Sequence, residues 1–161
     1  MDTSKLLVIA GVVFGIVFFL WMLSLILRGN DPVEEALATS LQAQVNAVEI
    51  SDITSSRSSD LETQSLATNI LSTTSSDYQV LSEYYRNNYT SAPSRADSVI
   101  VDDIDNAGEN LGSIYRQTVR EQLQISLDNL ENIPTEDLSD NFIDDINSSI
   151  LNHQRHLSRL E

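Results

Sequence analysis

Residues Leu6 to Leu27 read LLVIAGVVFGIVFFLWMLSLIL, 22 residues without one charged side chain. A helix rises about 1.5 Å per residue, so this run measures about 33 Å, enough to cross a hydrocarbon core of about 30 Å. A bilayer offers no water to peptide groups, and a lone segment can satisfy them only as a helix. A cleaved signal peptide has a shorter apolar stretch and a small-x-small exit, whereas this run leaves through LILRGND. With no Cys in the chain, lipoprotein processing is excluded as well. The expectation is an uncleaved transmembrane helix over residues 6–27, with the lipid bilayer as its partner.

Lys5 and the amino terminus precede the run, Arg28 follows it, and the next cationic residue is Arg57. The cation-poor downstream flank favours export of everything after Arg28. Residues 1–5 are then a short cytoplasmic tail, and residues 28–161 form an extracytoplasmic part of a single-pass plasma (inner) membrane protein. So short a tail cannot house a signalling output domain. Within the run, Gly11 and Gly15 form a G-x-x-x-G pair that lets a second backbone approach closely. Glycine is also common in membrane helices without any such role.

The charge balance is 9 Lys+Arg against 24 Asp+Glu, a formal net charge of −15, and all but one of the acids follow Arg28. That surface argues against nucleic-acid binding, which requires cations to displace the counterions of phosphates. The lack of Cys rules out disulfides, thiolate metal sites and a cysteine nucleophile.

After Arg28 the apolar residues recur at helical spacing. Asp31 and Pro32 suit a helix start, one as a cap and the other at the first helical position. Val33, Leu37, Leu41, Val45 and Val48 give a first stripe, and the Ser-rich run 51–59 is expected to contain the turn. A second helix follows from Asp60, with Leu66, Ile70, Tyr78, Leu81 and Tyr85 on one face, ending before Pro93. A third helical region, Arg95 to Asn132, carries Val101, Ile104, Leu111, Tyr115, Val119, Leu123, Leu127 and Leu130. Gly108 and Gly112 interrupt it, each costing about 1 kcal/mol relative to Ala inside a helix, so a short helix, a kink near Gly108 and a main helix are expected. Pro134 closes the region. A fourth helix from Thr135 shows Ile143, Ile146, Ile150, His153, Leu157 and Leu160 at steps of three and four, a bundle seam with one His inside it. These elements predict an all-α fold, an antiparallel, up-down-up-down four-helix bundle over 28–161. A long parallel coiled coil is the alternative; Pro93 and Pro134, beside polar turns, favour folding back.

An anchor followed by this helix order resembles exported, membrane-tethered ferritin-like four-helix-bundle bacterial proteins of unknown function. The segments SLATNILSTTSSDYQVL (Ser65 to Leu81), IYRQTVREQL (Ile114 to Leu123) and ILNHQRHLSRL (Ile150 to Leu160) carry the resemblance. It implies a ferritin-like fold. Where that family has an Asp-His pair this chain has Thr73-Thr74, and where it has a third-helix His this chain has Gln122. His153 stands at the family's fourth-helix His.

The residues themselves announce no reaction. A ferritin-like dimetal centre draws Glu-x-x-His from two helices, and no E-x-x-H occurs. Nucleophile-elbow, phosphate-loop and H-E-x-x-H motifs are also missing. His153 is read as a buried polar core residue level with Leu41, Leu81 and Tyr115, satisfied by a tyrosine hydroxyl, with His156 more exposed. Asp102-Asp103-Asp105 and Asp144-Asp145 lack the order of a calcium loop and are read as solvated faces. Asn88-Tyr89-Thr90 and Asn147-Ser148-Ser149 match a glycosylation sequon, a frequent coincidence in so Ser- and Asn-rich a chain. The expectation is a non-enzymatic protein without cofactor, metal or nucleic acid. It would act as a structural or protein-interaction module of the cell envelope, binding envelope proteins or itself. A degenerate metal-handling protein and an accessory subunit of a larger membrane complex are the alternatives.

Overall fold

The computed structural model describes residues 31–160, and among these the regular structure is entirely helical. The predicted membrane span, the tail before it, Gly11 and Gly15 lie outside the described residues. Among the described residues no helix is long and apolar enough to cross a membrane. The elements are α1 (Pro32–Arg57), α2 (Leu61–Asn88), α3 (Ser98–Asp105), a 3-10 turn (Gly108–Asn110), α4 (Leu111–Glu131) and α5 (Asp140–Leu157).

Pro32 opens α1, where its missing N–H costs nothing, and Glu34 and Glu35 face the positive end of the helix dipole. The helix continues through the Ser-rich run that was expected to turn. Ser55 and Ser56 donate back to the Asp52 and Ile53 carbonyls, and Ser51 is buried, so these hydroxyls are satisfied within the fold. The turn is confined to residues 58–60. There Asp60 caps α2, its carboxylate accepting from the Thr63 amide at 2.9 Å and the Thr63 hydroxyl at 2.6 Å. Gly108 has φ +54°, a left-handed conformation that suits glycine and breaks the chain between α3 and α4, near the expected kink. The fourth helix starts later than Thr135: Ser139 caps it, accepting from the Phe142 amide, and the preceding residues after Pro134 form a turn.

Cross-helix hydrogen bonds give the direction of each pair. Ser40 meets Ser126, Asn46 meets Gln122 and Ser51 meets Tyr115, so α1 and α4 run antiparallel. Asn152 bonds Asp77 and Phe142 stacks on Tyr84, ring centroids 3.4 Å apart, so α2 and α5 are antiparallel. Gln154 bonds Glu131 while Arg120 donates to the Leu160 carbonyl, which makes α4 and α5 antiparallel. Gln64 reaches back to Ser55 across the first turn, closing α1 and α2 into a hairpin. It follows that α2 and α4 point the same way. The order is up-down-down-up, which corrects the expected up-down-up-down.

The physical reason is the connection 89–110, which climbs the length of the bundle before α4 begins. Tyr78 donates to the Pro93 carbonyl, Gln42 to the Arg95 carbonyl, and Asn46 accepts from the Asp97 amide. Arg57, at the far end of α1, pairs with Asp105.

The apolar interior is divided. An upper cluster contains Ile50, Ala67, Ile70, Ile104, Leu111, Tyr115, Val119 and Leu123, together with Leu160. A lower cluster contains Leu37, Leu41, Leu81, Tyr85, Leu130, Ile133, Phe142 and Ile146. At the upper end Gly112 brings α4 close to α2: a Cβ there would lie 3.2 Å from the Thr63 hydroxyl, which would have to shift to make room.

Candidate functional site

Between and alongside the two apolar clusters runs a layer of buried polar side chains drawn from all four long helices. On α1 the buried residues Leu37, Ser40, Gln44, Ala47, Ser51 and Thr54 follow steps of three and four, so polar groups occupy the middle of the seam. Val45 and Val48, expected there, are only half-buried and line a surface hollow of about 260 Å3 with Tyr78. On α5 the buried positions are Phe142, Ile146, Ser149, His153 and His156, with Leu160 buried just beyond the helix. Ile143, Ile150 and Leu157, placed on the seam by apolar spacing, sit at its edge. The helix is thus rotated slightly from the expected register.

The α1–α4 side of the layer is largely paired, the Gln44 side-chain carbonyl oxygen and the Thr54 hydroxyl being its buried atoms without a partner. Ser40 and Ser126 hydroxyls lie 2.8 Å apart, and Gln44 donates to both, at 3.3 and 3.2 Å. Asn46 donates to the Gln122 carbonyl oxygen at 2.8 Å, while its own oxygen accepts from Gln42 at 3.1 Å and from the Asp97 amide at 2.9 Å. Tyr115 and Ser51 share a 2.9 Å bond, and burial pushes the Tyr115 phenol above its ordinary range.

The α2–α5 side differs. His153 has no exposed surface, and its Nδ1 lies 3.7 Å from Oδ2 of Asp77, beyond hydrogen-bond reach. Asp77 instead accepts from Asn152 at 3.0 and 3.3 Å. His156, expected in solvent, is only 3% exposed. Neither imidazole, nor the Thr74 or Ser149 hydroxyl, makes a well-formed hydrogen bond to a protein group, although the Ser149 carbonyl lies near His153 and its hydroxyl near Asp77. The expected tyrosine bond to His153 is not made, because Tyr115 lies higher in the bundle and bonds Ser51.

Burial disfavours the charged imidazolium and lowers His153 to about 4, with His156 reinforcing the effect and the Ser149 carbonyl opposing it. His156 falls to about 4 through burial and then the repulsion of Arg159 and Arg155. Asp77 moves the other way: burial raises its carboxyl, against the pull of the Asn152 amide. At neutral pH the layer therefore holds two uncharged imidazoles beside Asp77, whose charged form burial disfavours.

The remaining candidates do not join this layer as a donor set. Among the described residues no group of three or more His, Asp or Glu could hold a metal ion. Thr74 is buried and Thr73 half-buried on α2, and Gln122 is engaged with Asn46. Asp102, Asp103, Asp144 and Asp145 are exposed, and Asp105 is tied to Arg57. Asn88 is exposed at the end of α2, whereas the Asn147 triplet lies within α5 with Ser149 buried. Compared with protein-family models, curated proteins and solved structures, the chain matches none, and nothing links it to ferritin-like exported proteins.

Apolar periodicity overlooked Ser40, Gln44, Asn46, Asp77, Ser126 and His156. The signal was present: on α1 and α5 the three-four spacing becomes complete only when the polar residues between apolar ones are counted.

Proposed function

We propose that this chain is a membrane-tethered, extracytoplasmic helical bundle serving as a structural or protein-interaction module of the cell envelope. The observation carrying this reading is the uncharged run Leu6–Leu27 followed at Pro32 by a helical body with its own apolar core. The acidic side chains after Arg28 support it, because they repel nucleic acid and anionic headgroups and keep such a body off its own membrane. The up-down-down-up order with one long crossover supports a ferritin-like connectivity. The role is non-enzymatic, with envelope proteins or a second copy as partners, the latter through Gly11 and Gly15.

Two measurements test the reading. A reporter active only outside the cytoplasm, fused after Glu161, is expected to be active; an inactive but stably expressed fusion overturns the topology. The full chain, cross-linked in cells and isolated in mild detergent, is expected to carry discrete envelope neighbours or a second copy. Recovery as an uncross-linked monomer overturns the interaction role. A metal-handling role has in its favour only that Asp77 lies 3.7 Å from His153, with His156 one turn away on the same helix. They do not fit a dinuclear centre, which needs four carboxylates and two histidines. One or two equivalents of iron or manganese, lost in His153→Ala, would reinstate that role.

A further inference from the structure

The α5 helix carries the two buried imidazoles of the bundle. Its last two turns place His153 and His156 in the interior, where no side chain of another helix hydrogen-bonds either ring. The charged groups around them are few. From α2 comes Asp77, 3.7 Å from His153. From α4 come Arg120, bonded to the Leu160 carbonyl, and Glu131, bonded to Gln154. Between Leu37 and Ser51, α1 carries a single acid, Glu49, which is exposed. On α5 itself Arg155 and Arg159 add positive charge near His156. A second proton in this interior meets no second carboxylate.

The two apolar clusters depend on α5 unequally. The upper cluster draws its buried members from α1, α2, α4 and the α3 region, to which the C-terminal end adds Leu160, with Leu157 of α5 packed at the edge. The lower cluster needs Phe142 and Ile146 to cover Leu81, Tyr85 and Leu130.

We infer that α5 is an acid-releasable wall: protons taken up by the buried His153–His156 pair, which Asp77 alone can offset, detach Asp140–Leu157 while the upper core stays packed. Release exposes the lower cluster as an apolar groove between α2 and α4.

The sign follows from linkage. A freed imidazole titrates near 6.5, whereas each buried one holds its proton only below about 4. The released form therefore binds more protons, and the closed form loses ground as pH falls from about 6.5 towards 4. Asp77 acts in the opposite sense, since its raised carboxyl binds a proton more readily in the closed form. It offsets at most one of the two. Each net proton taken up changes the release equilibrium about tenfold per pH unit, so the slope lies between about tenfold and a hundredfold.

Hydrogen exchange of the full chain in detergent micelles, corrected for the intrinsic pH dependence of exchange, tests this between pH 7 and pH 4.5. Peptides from 140–157 are expected to lose protection with that slope while peptides from 111–118 keep theirs. Each of His153→Leu and His156→Leu should reduce the slope, and the double variant should abolish it; the single variants decide the matter if the double one does not fold. Loss of protection in 140–157 and 111–118 in step at every pH overturns the inference. So does a wild-type slope in both single variants.

Discussion

The two polar seams of the bundle face each other across one interior and follow opposite rules. Along α1–α4, Ser40, Asn46 and Ser51 each find a neutral partner on the opposite helix within 2.9 Å. Along α2–α5, two imidazoles and two hydroxyls are buried without one. Neutral, paired groups cost little once their bonds are made and fix how two helices register, because a shifted helix would leave each of them unpaired. Unpaired titratable groups fix nothing in that way. They make the packing of α5 conditional on their protonation state. The first seam specifies the fold, and the second makes part of it responsive.

Changes that move one seam towards the other's behaviour test this contrast. The largest effect is expected from His153→Asp, which sets a second carboxylate beside Asp77 with no cation to meet it. A loss of about 3–5 kcal/mol in urea unfolding at pH 7 is expected, and a loss below about 1 kcal/mol would mean that the site is hydrated. Next comes the paired seam. Tyr115→Phe and Ser51→Ala each strand a buried partner and should cost about 1–3 kcal/mol, while the double variant costs no more than either alone. Additive losses would show that the 2.9 Å bond does not couple the two residues. The smallest effects are expected from His153→Leu and His156→Leu at pH 7. Each replaces a buried, uncharged imidazole by an apolar side chain of similar size and should lie within about 1.5 kcal/mol of the parent in thermal unfolding, on either side. A large loss at His156 alone would place that ring in a bond the present geometry lacks.

The contrast also explains what could be read from the chain. On α4, Leu111, Tyr115, Val119, Leu123, Leu127 and Leu130 are all apolar and all buried, so spacing located the face without help. On α1 the buried face passes through Ser40, Gln44, Ser51 and Thr54, and an apolar alphabet shifted it towards Val45 and Val48. On α5 the same alphabet chose Ile150 and Leu157 over Ser149 and His156. Burial of a polar residue depends on a partner or neighbour on another helix, and single-helix periodicity contains no information about that. The direction of α4 was hidden for a related reason. The α3 helix has helical spacing of its own and merges in the sequence with the helix that follows, which conceals a return path of some twenty residues.

That return path also sets the order in which the protein can be made. The bonds that pair Ser40, Asn46 and Ser51 join residues 86, 76 and 64 positions apart. A chain emerging from the ribosome delivers α1 and α2 as a local hairpin well before Tyr115, Gln122 and Ser126 appear. Until then the α1 seam presents Ser40, Gln44 and Asn46 to water, which solvates them at no cost and discourages a premature apolar collapse with the wrong neighbour. Long-range closure of this kind slows folding relative to a bundle of successive hairpins. In exchange, the half-made chain is kept soluble by the same residues that later set its register.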